Sequence, residues 1–524
     1  MTTENRPVNE GILVLDYGSQ YTLLIARRLR ESGIYAEIMD GTGKSPPDGF
    51  HFKGIILSGG PDSTWEKSSR QLPGWVIGSE KPILGICYGM QLLAEKFGGM
   101  VRSGHIREYG KSVIKIIGDV KTPGSLVFND IPESQTVWMS HGDDVSNISD
   151  SFITLAASGG GAISAISHIE KPYIGLQFHP EVHHTEYGIR ILENFAKKIC
   201  LAGANWLPSS MLDATIRGLE STVEEDSRVL MAISGGVDST VAITLLARAL
   251  GTSRVTGVMV DNGLLRKDEA FKVEERLRAI GIKDLSVLKK GEEFLLALKG
   301  IVDPEEKRKI IGRKFISIFE EFASSRGGFT HLGQGTLYPD VIESASHGSG
   351  SKVIKSHHNV GGLPERLNLK LLEPFRYLFK DEVRKIGEQL GLPDDLVHRH
   401  PFPGPGLGVR ILGEITADKI RILQEADHIY INKLKEENLY HHAWQAFAVL
   451  LPVKSVGVMG DNRTYQWTLA LRAVTATDGM TAGVSNLPMD FLVSVSDEIV
   501  RKVDGINRVV YDITTKPPAT IEWE

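Results

Sequence analysis

Short apolar runs that stop near a glycine and then give way to helical spacing recur along this chain. No other feature limits its fold so strongly. Gly11–Asp16 (GILVLD) runs into Tyr17-Gly18-Ser19, after which Leu23, Leu24, Ala26 and Leu29 keep helical spacing within Gln20–Ser32. Gly54–Leu57 and Pro82–Ile86 repeat the pattern, and it resumes at Val229–Ile233, Val255–Val260 and Phe329–Leu332. Strands alternating with helices predict α/β domains built on doubly wound, mostly parallel sheets. Ligands of such sheets bind beyond the carboxyl ends of the strands, so the turns there are where chemistry is sought.

At roughly 150 residues per domain, 524 residues suggest several domains. Ala202–Ser210 (AGANWLPSS) is small, polar and Pro-interrupted, and reads as one boundary. Arg399–Gly408 (RHPFPGPGLG) holds three prolines and three glycines and reads as another, because neither a long helix nor a central strand survives that density. The expected division is 1–204, 205–400 and 401–524, the last segment being the hardest to read. Fifty-nine basic against sixty-five acidic residues give a net charge of −6, which argues against a general nucleic-acid or acidic-membrane binder. Two cysteines cannot form a disulfide framework, the N-terminus lacks a signal-peptide core, and apolar runs stop near ten residues. A cytoplasmic protein that spans no membrane is expected.

Lys81–Gln91 (KPILGICYGMQ) carries the first chemical signal. A strand leads into Gly-Ile-Cys-Tyr-Gly and a helix pattern follows. Glycines two before and two after Cys87 permit the tight turn of a nucleophile elbow. N–H groups and the dipole at a helix start favour an anionic sulfur there. Tyr173–Phe178 is a strand candidate that ends in His179-Pro180-Glu181. His179 can act as base and Glu181 as its orienter, the logic of acyl transfer. The Gly59-Gly60 turn offers N–H groups, and Gly59 with the amide of Tyr88 is the natural oxyanion pair. A metal site at His183-His184 is the weaker alternative, since no ligand cluster at suitable spacing accompanies them.

Val229–Thr240 (VLMAISGGVDST) carries the second signal. A strand, a glycine loop and an apolar-periodic helix form a cradle for phosphate. Ser234, Gly235, Gly236, Val237, Asp238, Ser239 and Thr240 make up this loop. The hydroxyls of Ser234, Ser239 and Thr240 can donate to phosphate oxygens, and Asp238 can help hold Mg²⁺. It is not a Walker A loop. Gly43-Lys44-Ser45 is a decoy, because Ile38 stands where that motif needs glycine, and Gly404–Gly408 lacks a preceding strand.

GGP at 59–61, PILGICYGMQ at 82–91 and QFHPE at 177–181 resemble the class I glutamine amidotransferases over about residues 10–200. That resemblance implies a flavodoxin-like domain, glutamine hydrolysis through a Cys87 thioester, and a substrate contact at Gln91. SGGVDS resembles the PP-loop of the N-type ATP pyrophosphatases, which cleave ATP between the α and β phosphates. Four further segments are similar to the glutamine-hydrolysing GMP synthetase family: Glu305–Gly312, Gly333–Glu343 with Lys355–Pro364, Arg399–Leu407, and Lys516–Glu524. The family implies three substrates (glutamine, ATP and XMP), Mg²⁺ with the ATP, and a homodimer formed through a C-terminal α+β domain. It also implies XMP contacts at Arg308, Lys516, Ile521 and Glu522. Asp340, Glu343, Lys355, His357 and His358 go with the Gly- and Ser-rich stretch SASHGSGSK, whose composition is that of a mobile lid over ATP. Other glutamine-dependent adenylating amidases, such as those making NAD or asparagine, and a non-catalytic sensor are the rival readings.

Overall fold

The structure is a computed structural model that describes residues 6–66, 68–118, 120–346, 368–459, 462–476 and 481–524. The chain divides into two compact units, one of residues 1–218 with 338–348 and the other of 219–337 with 349–524.

The first unit is built on nine strands: β1 (Glu10–Asp16), β2 (Ala36–Asp40), β3 (His51–Leu57), β4 (Ile83–Ile86), β5 (Met100–Ile116), β6 (Ser134–Asn147), β7 (Phe152–Ser158), β8 (Ile163–His168) and β9 (Tyr173–Leu176). They lie in the order β2-β1-β3-β4-β9-β8-β7-β5-β6. The first five are parallel, the flavodoxin-like arrangement with β9 as its fifth strand. The other four extend the sheet antiparallel. Ile12, Leu13, Val14 and Leu15 are all fully buried, which is why β1 reads as an unbroken apolar run rather than an alternation.

The second unit holds a five-stranded parallel sheet of β10 (Val229–Ile233), β11 (Val255–Asp261), β12 (Leu285–Lys289), β13 (His331–Gly333) and β14 (Lys370–Leu372). Its order is β12-β11-β10-β13-β14, so the winding reverses beside β10. That switch point is where such sheets open a ligand crevice. The sequence places a strand at Phe329–Leu332, but pairing starts at His331 opposite Val229. Gly327 and Gly328 both take positive φ after the helix Pro304–Arg326, and Phe329 turns its ring against Arg228 instead of joining the sheet.

The same unit carries a smaller sheet of β15 (Gln445–Met459), β16 (Asn462–Thr475), β17 (Gly483–Val484) and β18 (Ile506–Asp512). Helices Ala417–Glu436 and Met489–Lys502 contribute Leu423, Tyr430, Val495 and Ile499 to a core that also contains Val260, Leu264, Ile311 and Leu407. Residues on both sides of the Pro/Gly-rich segment therefore share one apolar interior. Among the described residues no helix is long and apolar enough to cross a membrane.

Candidate functional site

Cys87 stands between the fully buried β4 and the helix Tyr88–Lys96, with φ of 52° and ψ of −107°. A non-glycine residue in that region is strained, and such strain gathers at functional positions. The flanking glycines explain how the turn closes. A Cβ on Gly85 would lie 2.4 Å from the Gly89 oxygen, and one on Gly89 would lie 2.4 Å from the Leu57 oxygen. Backbone therefore passes where a side chain would have to be.

Register brings the base to the cysteine. Ile86 pairs with Leu176 in adjacent parallel strands, and the Cys87 N–H donates to the Leu176 oxygen at 2.7 Å. His179, three residues on, is fixed through its backbone: its N–H donates to Trp138 and its carbonyl accepts from Thr185 Oγ1 at 2.6 Å. The Tyr21 ring meets the imidazole edge-on, 5.1 Å between centroids. His179 Nδ1 bonds Glu181 Oε1 at 2.7 Å, and both side chains are buried. Burial alone would push the His179 pKa down. The Glu181 carboxylate and the hydrogen bond with Cys87 outweigh it and hold the imidazole well above its ordinary value. Cys87, His179 and Glu181 thus lie together in the arrangement that a nucleophile, its base and an orienter require.

Gly59 lines the same spot, since a Cβ there would lie 3.1 Å from His179 Cε1 and 3.6 Å from Cys87 Cβ. Among the described residues neither the Gly59 nor the Tyr88 N–H has a protein acceptor, which leaves both donors available. Gln91 is buried in the first turns of the helix, and its Nε2 donates to the Asp143 carbonyl at 3.0 Å. Sequence reasoning missed Gln177 and Ser140, whose Nε2 and carbonyl each lie 3.8 Å from Cys87 Sγ. For Ser140 the signal was the polar run SHGDD inside the alternating strand β6. His183 and His184 are exposed, His184 stacks on Trp138 at 4.5 Å, and no cluster of three potential metal ligands occurs among the described residues.

The second site lies at the switch point of the parallel sheet. Gly235 takes φ of 76° after β10, and the helix Val237–Leu250 starts two residues later. Ser234 and Ser239 hydroxyls are 3.1 Å apart, Ser239 also donates to the Gly236 carbonyl, and Thr240 Oγ1 donates to it at 2.9 Å. The hydroxyls therefore close the loop on itself. Asp238 Oδ2 faces Lys380 Nζ at 3.4 Å, while its Oδ1 is buried without a partner among the described residues. An orphaned carboxylate oxygen at a phosphate-type loop fits a magnesium ion, which takes one or two carboxylates and completes its shell with water and phosphate. Sequence reasoning missed Lys380, Glu269 and Arg399. Arg399 donates to the Gly235 carbonyl at 2.6 Å and pairs with Glu269, although it falls in the segment taken for a boundary.

The proposed nucleotide contacts gather in the second unit. Arg308 donates to the backbone oxygen of Glu524, and Ile521 packs against Phe447, Val449 and Ala470 while its carbonyl accepts from Arg472. Lys516 pairs its backbone with Ala482. Glu522 pairs with Arg410. Asp340 and Glu343 fall on the helix Tyr338–Ser346, which groups with the first unit. Lys355, His357 and His358 lie outside the described residues.

Known proteins match on both ends of this arrangement. The family model for glutamine amidotransferase class-I matches residues 13–199, and that for the GMP synthase C terminal domain matches residues 432–523. A protein of Thermosipho africanus named GMP synthase [glutamine-hydrolyzing] is 51% identical over 519 residues, covering 98% of this chain and 99% of its own. Proteins of the same name from Chlorobium luteolum and Aquifex aeolicus are 52% and 51% identical. They cover 98% of this chain and 100% and 99% of their own lengths.

Proposed function

The chain belongs to the glutamine-hydrolysing GMP synthase family, and from that premise we infer how its residues divide the reaction. It is a ligase that converts XMP to GMP with glutamine as nitrogen donor and ATP as the source of activation. The observation that carries the assignment of roles is the connected set Cys87, His179 and Glu181 on a strained elbow.

The Cys87 sulfur attacks the carboxamide carbon of glutamine. His179 delivers a proton to the departing nitrogen, ammonia leaves and a thioester remains. The Gly59 and Tyr88 N–H groups stabilise the tetrahedral oxyanion. Water activated by His179 then releases glutamate. In the second unit residues 234–240 hold the phosphates of ATP, with Asp238 as the residue that would hold Mg²⁺. When bound, that ion neutralises phosphate charge. The oxygen at C2 of XMP attacks the α-phosphorus, pyrophosphate leaves, and ammonia displaces AMP to give GMP. The segment Lys516–Glu524 with Arg308 is assigned to XMP, and the segment running from Asp340 and Glu343 through Lys355, His357 and His358 to the lid.

The same reading makes the protein a cytoplasmic homodimer. Val456, Val458 and Tyr465 are more than half exposed on the β15–β16 hairpin, and so is Val453 beside them. An apolar patch of that kind marks an interaction surface. Light scattering of the purified protein tests the dimer: a monomer at micromolar concentration rejects it. The reaction is tested by leaving out glutamine, ATP or XMP in turn. Pyrophosphate release should need XMP and ATP together, and release without XMP would reject the acceptor.

A further inference from the structure

Glu522 is held in a way that deepens the XMP reading and rests on it. Wholly buried Arg410 gives the carboxylate two donors, Nη2 to Oε1 at 2.8 Å and Nε to Oε2 at 3.1 Å. Gln445 Nε2 adds a third, to Oε1 at 2.8 Å. A carboxylate has about four acceptor positions, two on each oxygen. Both positions on Oε1 are therefore filled and one on Oε2 is filled, leaving a single position on Oε2. The Glu522 side chain is 19% exposed, so the carboxylate is not sealed in the interior as Arg410 is.

Arg410 is itself immobilised. Its guanidinium lies over Phe447 at 4.1 Å and over Phe402 at 5.1 Å, and its backbone is tied to Leu407 and Leu450. Arg472 fastens the same segment by the carbonyls of Thr514, Thr520 and Ile521. Buried Lys307 bonds the Ile411 carbonyl and the Glu524 carboxylate. A planar fork fixes both the plane and the rotation of a carboxylate, which a lysine point charge cannot do.

We propose that Arg410 is a positioning residue for the purine base: together with Gln445 it aims Glu522 so that one acceptor position, on Oε2, is presented to one ring N–H of the nucleotide. Arg410 does not touch the nucleotide in this scheme and acts only through Glu522.

The test uses the full chain in ammonia-dependent synthesis, varying XMP at saturating ATP and ammonia, so that the cysteine site does not enter the readout. Arg410→Lys should raise the KM for XMP roughly tenfold, the scale of a hydrogen bond to a charged group, and leave the KM for ATP unchanged. Arg410→Met in a Glu522→Ala background should raise the XMP KM no further than Glu522→Ala alone, because both changes remove one interaction. Additive effects, or an unchanged XMP KM in Arg410→Lys, overturn the proposal while leaving the XMP site in place. An unchanged XMP KM in Glu522→Ala overturns the site reading and the proposal with it. Should Arg410→Met fail to fold, Gln445→Leu decides. It keeps the ion pair, frees a second acceptor position and should raise the XMP KM about threefold, a neutral hydrogen bond's worth. No change there overturns the proposal.

Discussion

The two candidate sites position their groups in opposite ways. In the first unit Cys87, His179 and Glu181 are buried together, His179 is bonded to Glu181, and the backbones of Cys87 and His179 are held by neighbouring strands and by Thr185. In the second, the loop hydroxyls bond to each other, Asp238 meets Lys380 only at 3.4 Å, and one of its oxygens has no partner among the described residues. The contrast follows from the chemistry. A covalent nucleophile must be poised before substrate arrives, whereas phosphate transfer is mostly positioning and charge neutralisation, which the substrate's own anions help to complete.

The largest effect should come from Cys87→Ala. Loss of a nucleophile costs on the order of 10⁴-fold or more, so glutamine-dependent synthesis should vanish while ammonia-dependent synthesis persists. Loss of both in folded protein would break the division between the units. Asp238→Ala should do the converse, lowering glutamine- and ammonia-dependent synthesis alike by roughly 100-fold, the scale of one electrostatic contact in a transition state. Pyrophosphate release measures it, and basal glutamine hydrolysis is the control. Glu181→Gln should cost glutamine hydrolysis roughly 10- to 100-fold, the usual scale for a group that orients a histidine. It should also move the acid-to-neutral limb of the pH–rate profile to lower pH, because the carboxylate that holds His179 high is gone.

The smallest effect sharpens the comparison through two buried histidines of opposite sign. His179 is raised, so its contribution to stability is full below its unfolded pKa near 6.5 and is lost as pH rises through the folded value. His400 in the second unit is lowered to about 4, first by burial. It stacks on Tyr440 at 3.8 Å, its Nδ1 accepts the Ala446 N–H, and its Nε2 meets the Tyr440 carbonyl at 2.9 Å. Protonating Nδ1 would set two donors against each other. Its contribution is therefore full above pH 6.5 and declines as pH falls toward 4. Between pH 7 and pH 5 this amounts to about 2 kcal/mol. Urea unfolding of wild type and His400→Gln at both pH values measures it, and an equal pH response in the two proteins would reject the assignment.

Much of this was legible in the residues. Gly85, Cys87 and Gly89 announce an elbow because only glycine lets backbone pass so close, and Ser234–Thr240 announces an anion loop between strand and helix. Lys380 and Arg399 were not legible, because each comes from an element more than a hundred residues from the loop it meets. Arg399 was further disguised by prolines that looked like a linker. Glu522 could be picked out as a polar acceptor, yet nothing local tells that three donors already hold it.

By itself the sequence determined the apolar strands β1, β3, β4, β9, β10 and β11, the turns that follow them, and which side chains of chemical use stand at those turns. Periodicity and glycine placement are local properties, and short-range sterics enforce them. The fold decided which turns meet. Pairing Ile86 with Leu176 puts an imidazole beside a thiol, and closure of a shared core sets Arg410 against Glu522. Such meetings are fixed by strand order and packing across long stretches of chain, and the residues that make them carry no mark of it in their neighbours.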